Sequence, residues 1–294
     1  MILLLLCILF SAAVLVTFKI AEHLKVNPFS AILVNYATAC ILGLLVARGN
    51  IKPLFSLNLG NIVFMLMLGA LCIIVFRFLA LSIKRAGVAV TTVASKMSVI
   101  IPIFFSIYID ANDSLNGVKI TGIVLALIAV LLTVYKKENT TASKGFYLPL
   151  IIFIGIGLVD SSMKYAQITF VTDDMNSIFN SSIFAVSGIV GFALLPFNKP
   201  AVLDLKRQKT WIIGIVLGLV NFSSMYFMIA ALNYVNPITG VSLQGSILFG
   251  INNISVVLIN VFIGLMLFKE HPTRTNWIGI SLSIVAIAIL AYGH

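Results

Sequence analysis

Charge is scarce in this chain. Only 10% of its 294 residues are Asp, Glu, Lys or Arg, and just nine are acids. So few acids leave little material for a carboxylate-based active site or a cluster of hard-metal ligands. Cysteine is scarce too. Cys7, Cys40 and Cys72 all lie inside apolar runs, which excludes a disulfide framework and any paired metal motif. The three histidines, His23, His271 and His294, are far apart. No HExxH, GxSxG or P-loop pattern occurs. No cofactor is expected.

What the chain does have is apolar surface. It is 61% hydrophobic, with a mean hydropathy of +1.14. A soluble domain cannot hide that much, so the solvent must largely be lipid. The formal net charge of +10 does not point to nucleic acid. The basic residues sit in short clusters between apolar runs, and no basic groove with stacking aromatics is visible.

Charge-poor runs mark ten expected spans, at roughly 2–20, 29–47, 59–81, 87–108, 118–135, 146–166, 177–197, 211–232, 238–267 and 275–292. The first run lacks a basic leader and reads as a retained helix. Trp211 to Phe268 carries no charge and is too long for one crossing. Asn233, Asn236 and Pro237 break it. The ninth span remains long, so a tilted or locally unwound helix is expected there. Lysines and arginines concentrate in the loops after the odd-numbered spans. That bias favours termini outside the cytoplasm.

The chain also resembles itself. "FKIAE" (Phe18 to Glu22) is similar to "MKYAQ" (Met163 to Gln167). With no gap, Lys19 then pairs with Lys164, Asn35 with Asn180, and Gly43 with Gly188. "ITGIVLALIAVLLTVY" (Ile120 to Tyr135) is similar to "WIGISLSIVAIAILAY" (Trp277 to Tyr292). The expected architecture is an all-α integral membrane protein with ten transmembrane helices as two inverted five-helix repeats. Residues 1–138 form the first repeat, 139–145 a polar linker, and 146–294 the second. Five spans per repeat is an odd number, so the second repeat enters the membrane inverted. Inverted repeats of this kind build transporters.

Ten spans as five plus five, with a lysine ending the first span of each half, resembles the drug/metabolite transporter superfamily, specifically its EamA-type members. The residues that carry the likeness are Phe18-Lys19, Ala80-Leu81, Pro102, Ala231-Leu232 and "LMLFKEHPTRTNWIGISLSIVAIAILAY" from Leu265 to Tyr292. Glu270 and Gly279 fill the family's repeat ending. In the first half, only Asp110 or Asp113 stands where the family tends to place Glu, and alignment to Gly122 favours Asp113. The resemblance implies export or uptake of small metabolites through a cavity between the repeats.

Several polar groups lie inside expected spans. Lys96 is the deepest charge, with uncharged residues on both sides. Thr92 lies one turn before it, and Thr91, Ser95 and Ser98 lie on an adjoining face. Hydroxyls around a lysine make little sense in lipid. Lys96 is therefore read as a water-accessible position that binds an anionic or carbonyl group, or pairs with a carboxylate. Asp160 is the only acid well inside a span. Lys164 follows four residues later, so the two form an expected charge pair. That pair is either a fixed bridge or a proton-coupling group.

Lys19 and Lys164 lie near span ends, where they can snorkel or bind terminal carbonyls. Asn35 and Asn180 can link helices. Arg77, Gln244, Asn252, Asn253 and Tyr226 complete the expected substrate-binding set, and no metal site is expected. The leading expectation is a secondary transporter of a small metabolite, amino-acid-like or another polar or amphipathic solute, in the plasma (cytoplasmic) membrane. It would work by alternating access, and the proton-coupling reading of Asp160, if it holds over the fixed bridge, would couple it to protons. A membrane-embedded enzyme acting on a lipid-linked substrate is the competing reading. It needs clustered acids, and Asp173-Asp174 is the sole adjacent pair. The expected partners are a small-molecule solute and the lipid bilayer, with no nucleic acid; a homodimer is left open.

Overall fold

The computed structural model describes residues 2–86, 88–110, 113, 115–134, 147–235, 244–268 and 273–292. The polar linker 139–145 and Glu270 lie outside the described residues. Every regular element described is helical. The helices are α1 (Ile2–His23), α2 (Pro28–Val46), α3 (Lys52–Phe55), α4 (Leu59–Ala86), α5 (Val88–Met97), α6 (Ile100–Ile109), α7 (Gly117–Val134), α8 (Tyr147–Thr169), α9 (Asp173–Leu194), α10 (Lys199–Asp204), α11 (Gln208–Asn233), α12 (Gly245–Phe268) and α13 (Arg274–Tyr292).

Seven of these are long and apolar enough to cross a membrane: α1, α2, α4, α8, α9, α11 and α12. Three shorter apolar stretches, Ala94–Ile109, Gly117–Leu132 and Arg274–Leu290, fall at the fourth, fifth and tenth expected spans. The ninth expected span is less unusual than its sequence suggested. Its helix begins at Gly245 and runs for 24 residues, an ordinary membrane length.

Polarity is distributed as lipid requires. Large apolar side chains such as Ile2, Leu45, Met67 and Ile189 are exposed, while Asn35, Asn176, Asn180, Lys119 and Lys164 are buried. Backbone groups are satisfied within helices, the main option in hydrocarbon.

The chain forms two compact units, each discontinuous in sequence. The first comprises 1–77 and 166–233, and the second 78–165 and 234–294. Each therefore draws helices from both halves of the chain.

In the first unit α2 is central. Asn27 starts it, its Oδ1 accepting the N–H groups of Phe29 and Ser30 at 3.0 and 3.4 Å, with Pro28 opening the first turn. The helix runs antiparallel to α9, with Gly43 against Ser181 and Leu33 against Gly191. It runs parallel to α11, with Val34 against Gly214 and Thr38 against Gly218. Small residues let these backbones approach closely where no hydrophobic force drives helices together. Tyr36, Phe184, Phe222, Leu33 and Ile73 fill the space between them. The α1 helix lies antiparallel to α11. The Cys7 thiol donates to the Ser224 carbonyl at 3.4 Å, and Ala21 packs with Ile213.

A buried carboxylate closes one end of this unit. Asp204 accepts the Asn27 N–H, the Thr210 hydroxyl and the Arg207 guanidinium, each at 2.8 Å. It thereby ties the α1–α2 turn to the α10–α11 turn. In the second unit α7 and α13 pack antiparallel. Gly122 meets Leu290, and the Asn276 side chain donates to the Leu132 carbonyl at 3.1 Å.

Gly43 and Gly188 separate packing from propensity. A Cβ on Gly43 would lie 2.7 Å from Ser181 Cβ and 2.8 Å from a Phe222 ring carbon, whereas one on Gly188 would meet nothing nearer than Tyr36 Cβ at 3.6 Å. Gly43→Ala should destabilise the protein by about 1–3 kcal/mol through overpacking. Gly188→Ala should be neutral or stabilising by up to about 1 kcal/mol through helix propensity. Thermal unfolding in detergent checks both. Equal losses at the two sites would contradict this packing.

Candidate functional site

The fourth expected span does not form one helix. It breaks at Ser98–Val99 between α5 and α6, and the sequence explains the break. Pro102 has no N–H to give the Ser98 carbonyl four residues back. The Ile101 N–H takes that carbonyl instead, at 3.0 Å, and the turn tightens. Lys96 consequently sits in the last turn of α5. A helix C-terminus carries partial negative charge, so this is a favourable place for an ammonium group.

Asp160 lies in the middle of α8, one turn past Gly157, which packs against Ile101 at the start of α6. Lys96 and Asp160 are each the charged group that acts on the other. Neither makes a hydrogen bond, or an ion pair within 4 Å, to any described residue. Both are partly buried. Next to Asp160, the Ser161 hydroxyl is buried without a hydrogen-bond partner.

This corrects the expected Asp160–Lys164 pair. Lys164 turns to Asp110 instead, at 2.8 Å, with only 2% of its side chain exposed. It therefore does not snorkel. Gly245 at the start of α12 makes room for it, since a Cβ there would lie 2.9 Å from Lys164 Cε. The hydroxyls expected around Lys96 are partly committed elsewhere. Thr91 shares a 2.7 Å hydrogen bond with Ser82, and Ser98 donates to the Ser95 carbonyl at 2.6 Å. Thr92 lies on α5, but its side chain is outside the described set.

A second charged centre in the same unit went unrecognised in the sequence. Asp113 is buried and accepts four hydrogen bonds. These come from Lys119 Nζ at 2.6 Å, Ser106 Oγ at 2.7 Å, the Ser246 N–H at 2.8 Å and Ser246 Oγ at 2.6 Å. It joins the α6–α7 turn to the first turn of α12, where its negative charge also suits the helix dipole. Lys119 reads as a loop charge in the sequence, yet it is 1% exposed. The usable signal was the scarcity of acids: Asp110 and Asp113, two of only nine, lie where a span ends. Burial alone would raise the Asp113 carboxyl. The Lys119, Ser246 and Ser106 donors outweigh it and hold the carboxyl below its ordinary value. At Asp204, burial is likewise outweighed by Asn27, Thr210 and Arg207.

The remaining expected residues divide between the units. Gln244 is half-buried at the start of α12, Asn252 is buried, and Asn253 donates to the Phe249 carbonyl at 3.4 Å. These belong with Lys96 and Asp160 in the second unit. In the first unit, Asn35 accepts from Asn221 at 3.2 Å, and Asn180 donates to Asn176. Both link helices or helix turns, as their chemistry suggested. Tyr226 stacks on Phe222 with ring centroids 5.8 Å apart. Lys19 is partly buried in α1, and Arg77 is exposed. Among the described residues, no three His, Cys, Asp or Glu side chains come close enough to hold a metal ion.

Residues 1–135 match the EamA-like transporter family model, which bears out the resemblance drawn from the sequence. An uncharacterized protein of Haemophilus influenzae is 28% identical over 97% of this chain and 96% of its own length. A solved structure, described only as a crystal structure of a protein, shares the fold. Its TM-score is 0.73 at 11% identity, over 98% of this chain and 99% of that one. The chain is a multi-pass integral membrane protein, and its residues 1–135 are similar to the EamA-like transporter family, whose members are transporters.

The Asp113 centre makes a pH-dependent contribution to stability. A carboxyl held below its ordinary value stabilises the fold above the unfolded pKa of about 3.9. That contribution is lost as pH falls toward the folded value. Asp113→Ala should cost about 3–5 kcal/mol at neutral pH, because it removes the carboxylate paired with the buried Lys119 ammonium. Wild-type thermal stability should therefore fall as pH drops below about 4, and Asp113→Asn should make that fall shallower. An unchanged acid dependence in Asp113→Asn would assign the effect elsewhere.

Proposed function

We propose that this protein is a secondary transporter that moves a small metabolite across the cytoplasmic membrane by alternating access. The expected solute is amino-acid-like or another polar or amphipathic molecule, and Asp160 couples its movement to protons. The observation that carries this reading is the Lys96–Asp160 pair beside a broken membrane helix. Discontinuous helices with charged or polar groups at the break recur at transporter binding sites. Two charges left without direct partners in a membrane segment are costly, and groups of that kind mark transport pathways.

The ten-span inverted repeat belongs to the same proposal. Three packing features support it. The second and seventh expected spans, α2 and α9, lie antiparallel, as do the fifth and tenth, α7 and α13. Gly43 meets Ser181, while Gly188 meets Tyr36. The ungapped offset that aligns Lys19 with Lys164 also aligns Gly43 with Gly188 and Tyr36 with Ser181. The two contacts are therefore mates under one two-fold relation, the arrangement expected of an inverted repeat.

Solute flux into proteoliposomes, measured with and without a pH gradient, tests the proposal. Wild type should move at least one solute of a broad metabolite panel, faster with the gradient than without it. Lys96→Ala should reduce flux roughly ten- to a hundredfold, the worth of a charge-assisted contact of about 1.5–3 kcal/mol. Asp160→Asn should remove the response to the gradient. If Lys96→Ala and Asp160→Asn together leave flux untouched, these two residues are not the working site.

A further inference from the structure

Lys96 and Asp160 differ in what remains for each when a solute arrives. Lys96 lies in the last turn of α5, so the carbonyl end of that helix continues to favour its positive charge. Asp160 has no such support. It lies in mid-helix, one turn past Gly157, which packs on Ile101 just beyond the α5–α6 break; it accepts no hydrogen bond from a described residue, and Lys96 is the charged group acting on it. Lys164 follows one turn later on α8, but its ammonium is bonded to Asp110. Asp113 and Lys119 neutralise each other. Among the described residues, Asp160 thus has Lys96 as its counter-charge.

Building on the transporter reading, we infer that the site accepts a monoanionic solute together with one proton and carries both in the same direction. The anion takes Asp160's place as counter-ion to Lys96. A carboxylate deprived of its counter-ion in a low-dielectric setting is strongly disfavoured. Asp160 therefore takes up one proton from the adjoining aqueous phase as the anion enters, and gives it up when the anion leaves. The empty site holds an ammonium and a carboxylate. The loaded site holds an ammonium, the bound anion and a neutral acid. Both have zero net charge, so the cycle is electroneutral and indifferent to membrane potential. A cationic solute would need the reverse exchange, with Lys96 giving up its proton, and the α5 terminus opposes that step.

The experiment uses full-length protein in proteoliposomes loaded with a pH-sensitive dye. Gluconate, methanesulfonate and pyroglutamate serve as monoanions, taurine and glycine betaine as zwitterions, and choline and agmatine as cations. At least one monoanion should enter with one proton per anion, at a rate unchanged by a potassium–valinomycin potential. Its apparent affinity should weaken about tenfold per pH unit wherever the free site is ionised. Asp160→Asn should abolish the proton flux while anion movement persists and becomes sensitive to potential. Asp160→Glu should restore the coupling, which also guards against a misfolded Asn variant.

Anion entry without protons, or entry that carries net charge in wild type, overturns the inference. So does movement of zwitterions or cations alone, although the transporter reading then stands. If no solute of any charge class moves, both fail.

Discussion

A charge inside the hydrocarbon costs about 2.5–3.5 kcal/mol even on the most lenient insertion scale, and the buried charges described in the second unit are set against opposite ones. Two of the three pairs among the described residues of the second unit are in direct contact. Lys119 and Asp113 are bonded at 2.6 Å, and Lys164 and Asp110 at 2.8 Å. Replacing one member of such a pair leaves a buried, uncompensated charge, so these contacts hold the turn between α6 and α7 against the starts or ends of α8 and α12. The third pair, Lys96 and Asp160, is different. It is electrostatic without direct contact, and neither member has another described partner. Closed pairs fix structure, while an open pair can exchange one partner for a ligand.

The break between α5 and α6 makes the open pair possible. In a continuous helix Lys96 would sit mid-span, with every nearby carbonyl already bonded. Pro102 removes one rung of the ladder, and Lys96 then lies at a helix end whose dipole favours it. Backbone irregularity at membrane depth is tolerated where it is buried in protein or lines a polar space. A single proline thus decides where the helix ends and so which charge sits at its terminus.

Much of the fold could be read from the sequence because lipid imposes a simple rule. Charge-free runs become helices, and their interruptions become turns. Lys96 stood out for the same reason. What could not be read was partner choice. Asp160 and Lys164 have the spacing of a helix-surface pair, but spacing gives only opportunity. Asp110, more than fifty residues away in sequence, competes for Lys164 and wins because Gly245 leaves room for the lysine stem. Asp113 was visible only as a stand-in for a family glutamate. Its role depends on the N–H of Ser246, a long-range backbone contact that no periodicity encodes. The division into two units that each mix both halves is likewise a property of packing, and the repeat pattern does not contain it.

The central claim is that Lys96 and Asp160 are each other's counter-ions. A double-mutant cycle on thermal stability in lipid tests it most directly, using Lys96→Met and Asp160→Leu singly and together. Each single change should destabilise the protein by leaving one charge without its partner. The double variant should recover much of that loss, giving a coupling of roughly 1–3 kcal/mol. Strictly additive losses would show that the two charges do not depend on each other, and would contradict the account.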